Sequence, residues 1–409
     1  MASIYDANTN YTVNGTDLRY NPGMVTREYL IDVYPTLVDN FRFAGLWLWG
    51  RNDFGQLGDN SVASKSSPVQ TGGTNWKQVN NGLYHAAAIK TDGTLWLWGY
   101  NTAGQLGDNS ITSRSSPVQT VSGGTNWKQV SCGDFHTAAI KTDGTLWLWG
   151  SNANGQLGDN SITSRSSPVQ TVSGGTNWKQ VASNDRAHTA AIKTDGTLWL
   201  WGRNSNGQLG TNDIVHRSSP VQTVSGGTDW KQVACGLDYM AAIKADSTLW
   251  LWGRNNLNQL GDNTSIHRSS PVQTISGGTN WKQIDCGHYH AASIKTDGTL
   301  WLWGYNTDGQ LGDNSITSRS SPVQTVSGGT NWKQVSGGEY QTSAIKTDGT
   351  LWLWGSNANG QLGDNSIAHR SSPVQTISGG TNWKQVSCGG GFISTIRDNS
   401  SDPFRAEPL

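Results

Sequence analysis

The sequence has little of what most globular chains rely on. Apolar residues make up 34% of its 409 positions, with only six Phe and three Met. No run approaches 18 consecutive apolar residues, which excludes a membrane-spanning helix. Charge is scarce at 14% and balanced, with 29 basic and 29 acidic residues, so no net field draws the chain to nucleic acid or anionic lipid. The opening "MASIYDANTN" lacks a basic stretch followed by an apolar one, so no secretory signal and synthesis in the cytoplasm are expected. The four cysteines, Cys132, Cys235, Cys286 and Cys388, each follow a "KQV" or "KQI" triplet by two residues. That is one slot used repeatedly, without the spacing of a disulfide framework, and it predicts free buried thiols.

Against these absences stand 21 Trp and 51 Gly. "LWLWG" begins at Leu46, Leu95, Leu146, Leu198, Leu249, Leu300 and Leu351, and "SPVQ" and "WKQ" also occur seven times each. Two Trp per "LWLW" and one per "WKQ" account for every tryptophan, so they belong to the architecture. A period near 50 residues marks a repeat fold. Each unit offers four short strands, A ("NWKQVSC"), B ("HTAAIK"), C ("TLWLWG") and D ("SPVQTV"), bounded by Gly, Asn, Asp and Ser. The "TDG" between B and C is a hairpin signal. Strand C alternates Leu and Trp, so both faces of its sheet are apolar and need covering by other sheets. Sheets stacked around an axis form a propeller.

The chain ends decide between a ring and an open stack. The first unit starts at strand C, and the last stops at strand B, "GFISTIRDN". Pairing Phe392–Arg397 with Leu46–Gly50 closes seven blades and leaves no bare sheet edge. The fold class is therefore all-β, a seven-bladed propeller of four-stranded antiparallel blades over residues 46–398. A non-repeat N-terminal arm, 1–45, is extended with possible short helices in "TREYLIDVYPTLVDNFRFAG", and 399–409 form a C-terminal tail.

"DGTLWLWGxNxxGQLGDN" with an upstream "CGxxH" resembles the regulator of chromosome condensation repeat family, from Leu46 to about Asp398. The resemblance implies a seven-bladed propeller with strand A innermost and D outermost. Family members include a guanine-nucleotide exchange factor, a plant ultraviolet photoreceptor and a secreted β-lactamase inhibitor, so fold leaves function open. The photoreceptor's Trp in the A–B loop has no counterpart here, so light sensing is not expected.

Variation among the seven copies points to one face. The B–C turns and D–A loops are nearly constant, whereas the A–B loops and the residue after strand C diverge. The candidate partner-binding face comprises Tyr84, His85, Asp134, Phe135, His136, Arg186, His188, Asp238, Tyr239, His288, Tyr289, His290, Glu339 and Tyr340, with Arg51, Tyr100, Arg203, Arg254 and Tyr305. These residue types make strong interface contacts. His85, His136, His188 and His290 recur at the start of strand B, where a hydrogen-bonded structural role is favoured over general-base chemistry.

No phosphate loop, His-Glu-x-x-His or Gly-x-Ser-x-Gly occurs, so no enzyme, catalytic residue or cofactor is expected. Cys286-x-His288-x-His290 has zinc-ligand chemistry, but the Gly287 turn argues against a metal site. The acidic positions of "GQLGDN" (Asp59, Asp108 and their equivalents) and the basic ones before "SSP" (Lys65, Arg114 and equivalents) could form a ligand-binding ring. Local turns and ion pairs are favoured instead. The expected function is a protein-interaction propeller, without nucleic-acid binding or membrane insertion. The first reading is a structural or recognition component of a larger assembly such as a phage particle, binding virion proteins or a host-surface receptor and anchored by the arm. The alternative is a soluble regulatory or inhibitory protein acting on a GTPase or another enzyme.

Overall fold

The computed structural model describes residues 11–13, 16–18, 44–184 and 187–398, and among these there is no helix. Tyr11–Val13 and Thr16–Leu18 pair as an antiparallel hairpin. The rest of the arm, including the segment read as short helices, and the tail lie outside the described residues. The repeats form seven four-stranded antiparallel sheets in the order A-B-C-D. We number the blade that joins the two chain ends as blade 1. It consists of Trp383–Cys388, Phe392–Arg397, Gly45–Gly50 and Lys65–Thr71, with Trp47 opposite Thr395 and Leu46 opposite Ile396. Blade 2 is Trp76–Asn81, His85–Lys90, Leu95–Gly99 and Arg114–Gln119. Blades 3 to 7 repeat it from Trp127, Trp178, Trp230, Trp281 and Trp332.

The three tryptophans of each unit have different tasks. The second Trp of "LWLW" is buried between blades, and its indole N–H donates to the Gln carbonyl of "GQLG" ("NQLG" at 258–261) in the preceding blade. All seven of these bonds span 2.8–2.9 Å, and Trp49 to Gln361 carries the series across the closure. The "WKQ" Trp meets that ring edge-on, with centroids 6.1–6.4 Å apart, a favoured aromatic geometry. The first Trp of "LWLW" is half-buried. In blade 2 the Lys90 ammonium lies 4.8 Å from the centre of Trp96 and 5.0 Å from that of Trp76, a cation–π sandwich. In blade 1 Arg397 takes the place of that lysine.

Strand A lines an axial channel of about 220 Å³. There the Gln of "WKQ" reaches the next blade. Its amide nitrogen donates to a strand A carbonyl at 3.0–3.3 Å in all seven blades. Its oxygen accepts the N–H of that same residue in six of them. The four cysteines are free and buried beside these clasps, and burial pushes the Cys388 thiol up to about 12.

Gln129→Ala would leave the backbone of Val181 without its clasp. It is expected to cost about 1–3 kcal/mol, the usual penalty for orphaned polar groups. Lys128→Ala, next door but exposed, is expected to stay within about 0.5 kcal/mol. Urea unfolding of the two variants checks the contrast.

Candidate partner-binding face

The two variable positions of each blade are bonded to each other. The residue after strand C donates its N–H to the carbonyl of the last A–B loop residue: Tyr100 to Tyr84 (2.9 Å), Ser151 to Phe135 (2.7 Å), Tyr305 to Tyr289 (3.0 Å) and Arg254 to Asp238 (2.8 Å). This approach requires the glycine that ends strand C. Gly99 has φ +102°, and a Cβ there would lie 2.5 Å from the Tyr84 carbonyl oxygen. A–B and C–D loops thus share one end of the propeller.

On that end the side chains gather into two aromatic clusters. In the first, Phe54 of blade 1 packs edge-on against Tyr84 (5.2 Å) and Tyr100 (4.7 Å), and Tyr100 reaches Phe135 of blade 3 (6.1 Å). The Arg51 guanidinium lies 5.1 Å from the Tyr84 ring centre and pairs with Asp53. In the second, Tyr289 meets Tyr305 (6.0 Å) and Tyr340 of blade 7 (5.5 Å). Burial, then its neighbours Tyr289 and Glu339, raise the Tyr340 phenol above its ordinary range. Between the clusters, Arg203 faces Asp238 at 3.6 Å, and Arg254 donates to Asn256. Phe54 was absent from the sequence reading; only its place immediately before "GQ" hinted at it.

Several residues assigned to this face are inside the ring instead. His85, His136, His188, His290 and Tyr239 are buried. All start strand B, whose every position except the last lies between sheets, so none can touch a partner. His85 Nε2 lies 2.9 Å from Thr137 Oγ1 in the next blade. The Thr137 hydroxyl gives its hydrogen to the Gln105 carbonyl, so His85 must donate through Nε2, and burial keeps the ring neutral. His136 reaches Thr189, and His290 reaches Thr342, in the same way. In blade 5 Tyr239 takes this slot, with its hydroxyl on the His290 carbonyl at 2.6 Å. In blade 7 Gln341 takes it and donates to the Gly389 carbonyl. Burial pulls both His85 and His290 down to about 3. Asp134 and Asp238 are also buried, and Asp238 accepts from Gln208. His288 and Glu339 line the channel. Arg186 lies outside the described residues.

Cys286, His288 and His290 do not converge. His290 turns to Thr342, whereas His288 packs beside Tyr289 and faces the channel. Among the described residues no three His, Cys, Asp or Glu side chains are grouped to hold a metal ion. The acidic and basic positions of the C–D loops form local latches. Asp108 accepts from Asn101, Ser110 and Arg114; burial opposes its ionisation, but these bonds hold its carboxyl below the ordinary value. In blade 4, where Thr211 replaces the aspartate, Asp213 pairs with Arg217 at 2.7 Å.

The constancy of the opposite face has a packing cause. Gly93 of the "TDG" turn sits against the next blade, where a Cβ would lie 2.1 Å from the Thr125 carbonyl oxygen. Its own carbonyl accepts the Trp127 N–H at 3.0 Å. The contrast between faces therefore does not measure partner binding; the aromatic clusters are what distinguish the variable face.

Family models of the RCC1-like domain match residues 123–401, and those of the regulator of chromosome condensation (RCC1) repeat match 45–89 and 92–140. The chain belongs to the RCC1 repeat family. It is 31% identical to the ultraviolet-B receptor UVR8 of Arabidopsis thaliana over 80% of this chain and 76% of the receptor. Human WBSCR16 superposes with a TM-score of 0.77 at 22% identity, covering 87% of this chain and 99% of that one. Prp20p of Saccharomyces cerevisiae, described with its binding to Gsp1p and histones, gives 0.75 at 17% identity over 94% and 98%. At such identities the two solved structures show a common fold.

The buried histidines give the fold an acid limit. The unfolded chain protonates them near 6.5, whereas folded His85 and His290 stay neutral down to about 3. Between those values the unfolded state binds more protons, so stability is lost as pH falls, by up to about 1.4 kcal/mol per pH unit per histidine. Asp285, deep in the channel and raised by burial to about 6, opposes this between 3.8 and 6. Replacing both histidines by Gln, the residue blade 7 already uses, is expected to flatten the slope in urea unfolding from pH 7 to 4.

Proposed function

We propose that the chain is a non-enzymatic protein-interaction propeller that grips a partner protein through its A–B and C–D loop face. The observation that carries this is the pair of aromatic clusters, Phe54/Tyr84/Tyr100/Phe135 and Tyr289/Tyr305/Tyr340, held on rigid blade ends. Tyrosine and arginine on a preformed surface supply contact area at low entropic cost, and such residues dominate interface energies.

A soluble regulatory protein acting on a GTPase or another enzyme is the favoured version. Support comes from relatives described as a receptor and as a protein that binds Gsp1p and histones. Those relatives lend nothing to the virion reading. Light reception is not part of the proposal, because every Trp lies in a "WKQ" or "LWLW" strand.

Immobilised full-length chain should retain a partner from lysate of its source. Replacing Tyr84, Tyr100 and Phe135 with Ala, or separately Tyr289, Tyr305 and Tyr340, is expected to weaken binding of that partner at least ~30-fold, the scale of one 2 kcal/mol hot spot. Undiminished binding by both variants, folded by circular dichroism, would contradict the assignment of the face.

A further inference from the structure

Each strand A carries a β-bulge at the same place. In blade 2 Trp76 pairs with Lys90 and Gln78 with Ile89, so Lys77 between them has no opposite residue. The same irregularity recurs at Lys128, Lys179, Lys231, Lys282, Lys333 and Lys384. Bulges re-aim side chains. Here the flanking Trp turns into the core and the Gln toward the next blade, while every one of these lysines is exposed. Strand A is innermost, and neighbouring A strands are clasped through Gln at 3.0–3.3 Å. Seven exposed lysines therefore stand at the start of the innermost strands, at the end of the ring opposite the aromatic clusters.

Among the described residues, Lys384 pairs with Asp398 at 3.5 Å, and the other six have no carboxylate within ion-pair distance. Asp285 and Glu339, which also line the channel, lie farther along strand A and its loop, toward the other end. The nearest repeated acids on the lysine end are those of the "TDG" turns. They belong to the B–C corner, one strand farther out, and are tied down locally, as Asp92 is by the N–H and hydroxyl of Thr94.

We propose that this lysine ring binds a compact multivalent phosphate on the propeller axis. Like charges within a Debye length of one another, about 10 Å at 0.1 M salt, repel. One small ligand with several negative charges relieves many of these repulsions together. Lysine suits phosphate as a mobile point charge. The outer ring of exposed carboxylates, Asp92 and its equivalents, disfavours an extended polyanion, which would have to cross it; this selects a small phosphate over nucleic acid. The site is independent of the aromatic face.

Titration calorimetry of the full chain with sodium tripolyphosphate at low salt tests this. One ligand per chain is expected, with affinity falling as salt rises. Changing Lys77, Lys179 and Lys282 together to Gln is expected to weaken binding at least ~10-fold, a loss of about 1.4 kcal/mol, whereas changing them to Arg should preserve it. Absence of binding at millimolar tripolyphosphate, equal affinity in the Gln variant, or tighter binding of a single-stranded oligonucleotide of equal charge would each overturn the proposal.

Discussion

No blade can stand alone, because both faces of its strand C are apolar; its stability comes from the blades on either side. The bond that fixes each neighbour is the indole N–H of a buried Trp on the preceding blade's Gln carbonyl, with the channel glutamines repeating the connection near the axis. In a linear stack the end blades would lack one of these partners. Closure removes the ends: Gly45–Gly50 lies between Phe392–Arg397 and Lys65–Thr71, and Gln385 clasps Val79 like any other pair. The two distant ends of the chain then become neighbours in one core with Leu46, Phe392 and Ile396.

This requirement sorts the sequence into what is free to change and what is not. The "GQLG" segment is pinned between blades, and the following Asn donates its N–H to the next blade's strand D, as Asn109 does to Ser166. The "TDG" turn is pinned against the following D–A loop. What remains is the strip where the A–B loop meets the residue after strand C, and there Tyr, Phe, Arg, Ser and Ala alternate. Ring and recognition surface are thus separable: the first is written almost unchanged in each repeat, the second in the differences.

The seven-blade count, the closure, the strand order and the loops sharing each end were legible in the sequence, because period and alternation report directly on repeated sheets. The location of the histidines was harder. His85 was read correctly as the start of strand B but also as part of the exposed face, and the strand it opens is enclosed on both sides; Tyr239 and Gln341 occupy the same slot with other chemistry. Lys77 and Gln78 were both passed over, for opposite reasons. The bulge that ejects the lysine leaves no pattern in the letters, and the amide clasp of the glutamine spans blades some 50 positions apart. Phe54 meets its cluster because the chain runs from blade 1 directly into blade 2, which sets the two blades side by side.

Closure is tested most directly by native-state hydrogen exchange. The amides of Phe392–Arg397 should exchange as slowly as those of the equivalent interior strand His136–Lys141, within about tenfold, since both would open only with the ring. Exchange of 392–397 at the rate of exposed loops, while 136–141 stays protected, would mean that the ends do not pair and that the ring is open.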